Sequence, residues 1–144
     1  QNDPADIPIL LKKYEECRDS NHIMVTGHRV TRKDSKAKRY ASKIANAVRS
    51  RLLRDDNPDT GCALKLFERD LFLKLPYFDH IHRFLPALAK REDCRIVVVP
   101  VNHRHRARGV SKYANFERLI AGVIDLLGVM WLIRRYPKNL DSKE

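Results

Sequence analysis

Paired cysteines, a full-length apolar span, clustered aromatics and, over one long stretch, acidic side chains are all missing here, and each absence removes a class of protein. Cysteine occurs three times, at Cys17, Cys62 and Cys94. The three are far apart, odd in number and without C-x-x-C spacing. A disulfide framework and a thiolate zinc site are therefore excluded, and the chain reads as reduced and cytoplasmic with cysteines as core fillers. No signal peptide is present, and the chain opens on Gln1 without an initiator methionine, as an excised piece of a longer protein would. The apolar run from Leu119 to Ile133 is shorter than the roughly 20 residues that span a bilayer, carries Asp125, and is flanked by Arg118 and Arg134-Arg135. A simple transmembrane span is disfavoured.

From Arg29 to Arg54 there are ten basic residues and one acid, Asp34. Most of the net charge of +11 comes from this stretch. Such a balance speaks of partners: nucleic acid, anionic lipid or phosphorylated small molecules. Tyr40 is the stretch's single aromatic, whereas single-strand binders usually offer several stacking platforms beside a basic groove, so nucleic acid is the weaker reading. Tyr40, Ile44, Ala47, Val48 and Leu52 recur at helical spacing, which predicts an amphipathic helix over Ser35 to Leu53 with its apolar stripe inward and a basic outer face. That outer face is either solvated or seated on an anionic membrane surface.

What is present has the size and pattern of one globular domain: 144 residues, 43% of them apolar. Asp3-Pro4 supplies a helix start, and Ile7, Leu10, Leu11 and Tyr14 an apolar stripe to about Cys17. Asn21 to Gly27 reads as a buried strand delivering Gly27, His28 and Arg29 at its C-terminal end, where open α/β sheets hold ligands. After a turn cluster at Asp55 to Asp59, Thr60 to Phe67 reads as a strand, with Gly61 permitting close backbone approach to a ligand. A short helix breaks at Pro76; a second is expected from about Asp79 as N-cap, with Pro86 predicting a kink or a late start. Arg95 to Val101 is a β-branched run with the look of a core strand, and Pro100 confines its last part to an edge or exit. The last element, Tyr113 to Arg135, is apolar almost all round a helix, so it is either buried or lies at a membrane interface with Trp131 and the arginines at headgroup level.

Between the last strand and the last helix, His103 to Lys112 reads His-Arg-His-Arg-Ala-Arg-Gly-Val-Ser-Lys. Its density of cations and donors suits a phosphate group, with Gly109 supplying a turn. Other chemistries fit poorly. His80-x-His82 and His103-x-His105 lack a cysteine or carboxylate at metal-ligand spacing, and Ser111 lacks a nucleophile elbow.

Five motifs in order, Gln1-Asn-Asp-Pro, Gly27-His-Arg29, Asp59-Thr-Gly-Cys-Ala-Leu-Lys65, Phe78-Asp-His-Ile-His-Arg-Phe-Leu-Pro86 and Arg106-Ala-Arg-Gly-Val-Ser-Lys112, resemble the C-terminal half of a family-2 glycosyltransferase of the dolichol-phosphate or polyprenyl-phosphate mannosyltransferase type. The resemblance implies an α/β chain, part of a GT-A domain, with about three strands, flanking helices and a terminal hydrophobic helix. Residues 1–117 would be the acceptor-side half of the catalytic domain, and 118–144 an apolar, membrane-interfacial helix with a polar tail. It also implies transfer of a sugar, mannose from GDP-mannose being commonest, to a polyprenyl phosphate with inversion, at the cytoplasmic face of a membrane.

In that family an Asp-x-Asp-x-Gln motif binds the divalent metal, Mg2+ or Mn2+, and the sugar diphosphate. Gln1 matches its last residue, and both aspartates would precede the chain. The isolated chain is therefore expected to be inactive. By the same resemblance Gly27, Arg29, Gly61, Arg106, Ser111 and Lys112 contact phosphate groups, with Arg29, Arg106 and Lys112 as the catalytic cations. The alternative is a non-catalytic basic module that binds an anionic membrane or nucleic acid.

Overall fold

The computed structural model describes residues 3–18, 22–30, 36–55, 57–102 and 115–136, and for 36–39, 41–42 and 115–119 only the course of the backbone. The chain forms two compact units, residues 1–111 and 112–144.

The first unit is an α/β arrangement around a three-stranded mixed sheet. A 3₁₀ turn at Pro4–Asp6 is capped by Asp3, whose carboxylate accepts from the Ala5 amide at 3.1 Å, and runs into α1, Ile7–Cys17. Strand β1, Ile23–Arg29, lies at the centre, antiparallel to β2, Lys65–Phe67, and parallel to β3, Arg95–Val101. Val25 faces Leu66 on one side and Val97 on the other, which sets the register. Residues 23–27 are buried without interruption because both faces of β1 are covered. Leu10 of α1 meets Ile23, Val25, Cys62, Val99 and Val101 in the main core, with Tyr14, Leu64 and Leu66 packed at its margin. Between β2 and β3 come α3, Arg69–Lys74, a 3₁₀ turn at Ile81–Arg83, and α4, Leu85–Arg91, which lies against β3.

Four expectations change. The second strand is only Lys65–Phe67, since residues 59–62 form a turn closed by the Cys62 amide on the Asp59 carbonyl at 3.2 Å. The helix after Pro76 starts late, at Leu85, one of the two outcomes expected from Pro86, and what changes is the cap. Asp79 is not its N-cap, because Pro86 lacks an N–H and fits only where no helical donor is needed. Strand β3 is an edge of the described sheet along its whole length, with Arg95, Val98 and Pro100 exposed, where an edge was expected from Pro100 for its last part alone.

The largest change concerns α2, Lys36–Leu53. Its apolar stripe is outside: Tyr40, Ile44, Val48 and Leu52 are exposed, while Asn46, Arg49, Ser50 and Leu53 form the inner face. The body offers this helix a polar loop, so a polar face turns inward. Asn46 Nδ2 donates to the Pro58 carbonyl at 3.2 Å and Arg49 Nη2 to the Asn57 carbonyl at 2.8 Å.

The second unit is described through α5, Asn115–Arg135. Ile120, Val123, Ile124, Leu127 and Trp131 are exposed along one side of it. Among the described residues no helix is long and apolar enough to cross a membrane.

Candidate functional site

Arg29 ends the central strand, and its surroundings are built from the loop that follows α2. The Asp59 carboxylate takes three hydrogen bonds from this one residue: the Arg29 amide at 3.2 Å and Nε at 2.7 Å to Oδ2, and Nη2 at 2.7 Å to Oδ1. Both side chains are largely enclosed, at 14% and 4% exposure, so the bidentate pair holds the guanidinium plane in one orientation. Gly61 covers the same group, for a Cβ there would come within 3.1 Å of Arg29 Nη2.

Behind this pair the loop is tied in three directions. Asn57 Oδ1 accepts from the Asp59 amide at 3.0 Å, and Asn57 Nδ2 reaches Thr26 Oγ1 on β1 at 3.3 Å. Arg49 Nη2 donates to the Asn57 carbonyl and stands 3.4 Å from Asp55 Oδ1. Lys65 Nζ donates to the Thr60 carbonyl at 3.1 Å and to the Cys62 carbonyl. Burial pulls both the Arg49 guanidinium and the Lys65 ammonium below their ordinary pKa ranges, opposed for Arg49 by Asp55 and Asp59 and for Lys65 by Cys62 and Asp59. Burial likewise pushes the Cys62 thiol up.

Of the expected site residues, Arg29 and Gly61 are brought together. Gly27 lies two residues earlier, buried in β1. A Cβ there would meet Val101 Cγ2 at 2.9 Å and Cys62 Sγ at 3.0 Å, so close packing already accounts for a glycine. Gln1, Arg106, Ser111 and Lys112 lie outside the described residues. The approach to them is fixed at one point: Asp6, buried in the N-terminal turn, accepts from the Asn102 amide at 2.8 Å and from Asn102 Nδ2 at 3.0 Å. That latch joins the start of the chain to the exit of β3.

The sequence reading missed Asp6, Arg49, Asn57 and Asp59 as site-forming residues. One signal was available. Asp55, Asn57 and Asp59 alternate directly after a basic helix, and alternating polar residues in an extended loop can face one side together. Among the described residues no group of three His, Cys, Asp or Glu side chains could hold a metal ion. The His80 and His82 rings stand 6.4 Å apart, centroid to centroid, on an exposed turn. Asp55 and Asp59, the buried carboxylates of the loop that holds Arg29, are engaged by arginines, so these residues do not fit a divalent-metal site.

A mixed sheet flanked by helices, with an oriented arginine at the end of its central strand, is consistent with part of a GT-A domain. Comparison with known proteins gives the class more sharply. The chain is 33% identical over 137 residues to the dodecaprenyl-phosphate galacturonate synthase of Rhizobium johnstonii, a match covering 93% of this chain and 39% of that protein. It is 35% identical over 130 residues to the undecaprenyl-phosphate 4-deoxy-4-formamido-L-arabinose transferase of Shewanella sediminis, covering 90% of this chain and 38% of that protein. The chain is thus homologous to polyprenyl-phosphate glycosyltransferases, and spans about two fifths of the length of the curated relatives it matches. No family model and no solved structure matches it.

Proposed function

We propose that the full-length protein transfers a sugar from a nucleotide sugar to a polyprenyl phosphate, with inversion, and that this chain supplies the acceptor side of the site. The observation that carries the reading is Arg29, set in orientation by Asp59 at the end of β1, in a chain homologous to transferases named for polyprenyl phosphates. In the reaction a phosphate oxygen of the lipid attacks the anomeric carbon, the bond from that carbon to the donor diphosphate breaks, and the nucleoside diphosphate leaves. An anionic nucleophile thereby approaches an anionic leaving group, and fixed cations lower the barrier. Arg29, Arg106 and Lys112 take that role, with Ser111 and the backbone at Gly61 as further phosphate contacts, while Gly27, its amide held by the Leu64 carbonyl at 2.9 Å, serves the packing behind them. A phosphate monoester is already ionised near neutral pH, so no general base is required.

Mannose from GDP-mannose is the donor to test first, on the resemblance; galacturonate and 4-deoxy-4-formamido-L-arabinose donors follow from the relatives' names. Mg2+ or Mn2+ is expected in the full-length enzyme on the same resemblance, with Gln1 beside it, and no step above runs through the metal. The exposed apolar stripe of α2, flanked by Lys43, Arg51 and Arg54, supports seating on the cytoplasmic face of an anionic membrane. The α5 stripe supports the same placement.

The test is transfer of radiolabelled sugar from each donor to undecaprenyl phosphate in vesicles by the full-length protein. Transfer from one of them, lost at least a hundredfold in Arg106→Gln and Lys112→Gln, is the expected result. No transfer from any donor, or variants equal to wild type, would overturn the reading.

A further inference from the structure

Behind the Asp59–Arg29 pair lies a group of buried polar side chains that touches no phosphate in the chemistry above. Asp55, Asn57 and Asp59 are exposed by only 1%, 1% and 3%, and Arg49 on α2 by 7%. We propose that Asn57 and Asp59 are positioning residues for Arg29, and that Arg49 positions them in turn, so that the arginine meeting the lipid phosphate is aimed by a polar relay rooted in the basic helix. The proposal rests on the reading of Arg29 as a phosphate contact.

The relay is continuous. Asp59 grips Arg29 along the Nε and Nη2 edge and also accepts from its amide, which ties the side chain to its own strand end. A guanidinium held by that edge has its plane fixed, so a phosphate that reaches it meets donors already oriented. Asp59 is held by Asn57 through its amide. Asn57 is fixed from two sides, its side chain by Thr26 on β1 and its carbonyl by Arg49 on α2. The Asn57 amide lies 3.4 Å from Asp55 Oδ1, the same oxygen that Arg49 Nη2 approaches. Gly61 and the Lys65-bound turn close the loop over the Arg29 tip.

Two consequences separate positioning from mere stabilisation. A buried ion pair is weak evidence for stability, and an apolar replacement of similar volume is often neutral or better. Arg49→Met is therefore made in an Asp55→Asn background, which removes both buried charges together and keeps an oxygen for the Asn57 amide, and is expected to leave thermal stability close to wild type while loosening Arg29. Loosening has a direct readout, because the Arg29 Nε–H is sheltered by Asp59 and exchanges slowly with solvent only while the grip holds.

The experiment uses the full-length protein and undecaprenyl phosphate in neutral phosphatidylcholine nanodiscs. Asp59→Asn, which cannot accept all three Arg29 donors, and Arg49→Met in the Asp55→Asn background are each expected to raise Arg29 Nε–H exchange, read by nitrogen-15 NMR, and to weaken lipid binding at least tenfold. Arg29→Gln combined with Asp59→Asn, which removes both charges together, is expected to weaken it at least as much. If Arg29→Gln with Asp59→Asn loses binding while Asp59→Asn alone and Arg49→Met with Asp55→Asn stay folded and bind within twofold of wild type, the relay is wrong and the Arg29 reading stands. Should Arg29→Gln with Asp59→Asn also bind like wild type, both fall. Where Asp59→Asn does not fold, Arg49→Met with Asp55→Asn decides: melting near wild type with weaker binding supports the relay, and unchanged binding with unchanged exchange overturns it.

Discussion

Two glycines near the end of β1 would answer the same substitution in different ways. At Gly27 an added methyl would lie 2.9 Å from a γ-methyl of Val101, itself 5% exposed, and 3.0 Å from the Cys62 sulfur. Neither neighbour is a flexible tip, so Gly27→Ala overpacks the core and is expected to lower stability by about 1–3 kcal/mol in urea denaturation. Val101→Ala in the same chain should return part of that loss, and no return would mean that the backbone rather than Val101 sets the limit. At Gly61 the nearest atom is Arg29 Nη2 at 3.1 Å, which a few tenths of an ångström of movement would relieve. Gly61→Ala is accordingly expected to change stability by less than Gly27→Ala. Both glycines were conspicuous in the sequence, but the reasons differ: one makes room for the core and the other for an arginine 32 positions away, and chain order alone does not distinguish them.

Helix α2 carries its information in which way it faces. Periodicity revealed the helix and its two sets of residues, an apolar stripe of Tyr40, Ile44, Ala47, Val48 and Leu52 against a basic face. Which set turns inward depends on the neighbouring surface, and that surface is the polar loop 55–59. The outward stripe sits among basic residues, an arrangement suited to an anionic bilayer surface, where apolar burial and electrostatic attraction add. In flotation with phosphatidylglycerol vesicles, Ile44→Ser with Val48→Ser is expected to release most of the bound full-length protein at high salt. Both positions are about half exposed, so its melting temperature should move little. Retention equal to wild type would show that the stripe does not meet lipid. A second element-level feature, unmarked in the sequence, ties three elements at the opposite end of β1. Glu68 accepts from Tyr14 of α1 at 2.8 Å and pairs with His22 Nδ1 just before β1, and these hydrogen bonds hold its carboxyl below the usual range.

For the molecule as a whole, buried and paired ionisable groups fix how stability follows pH. The Glu68 carboxyl is depressed, so its stabilising share is present above its ordinary value of 4.5 and is lost as pH falls through the lower folded value. Burial pushes the Cys94 thiol from 9.0 up to about 12. Between those values the unfolded chain gives up this proton while the folded chain keeps it, so stability falls as pH rises above 9. Lys65, depressed by burial below 10.5, acts in the opposite direction as pH approaches that value and softens the slope. Urea denaturation from pH 8 to 11 is expected to show a decline above 9 that Cys94→Ala flattens, by at most about 1.4 kcal/mol per pH unit; an unchanged slope in that variant would rule Cys94 out as its source.

What the sequence by itself determined is local or cumulative: the helical and strand runs, written in spacing and β-branching; the concentration of positive charge; and the ordered motifs, whose implied class the homologous transferases support. Tertiary structure alone decided the pairings across distance. Asp59 closes on Arg29 across 30 residues and Asp6 on Asn102 across 96, and Arg49 turns inward although its residue type is seldom buried. The physical reason is that a hydrogen bond or buried ion pair depends on two groups meeting at about 3 Å in the same desolvated place. Residue order lists both groups, and only the packed sheet and loop bring them there.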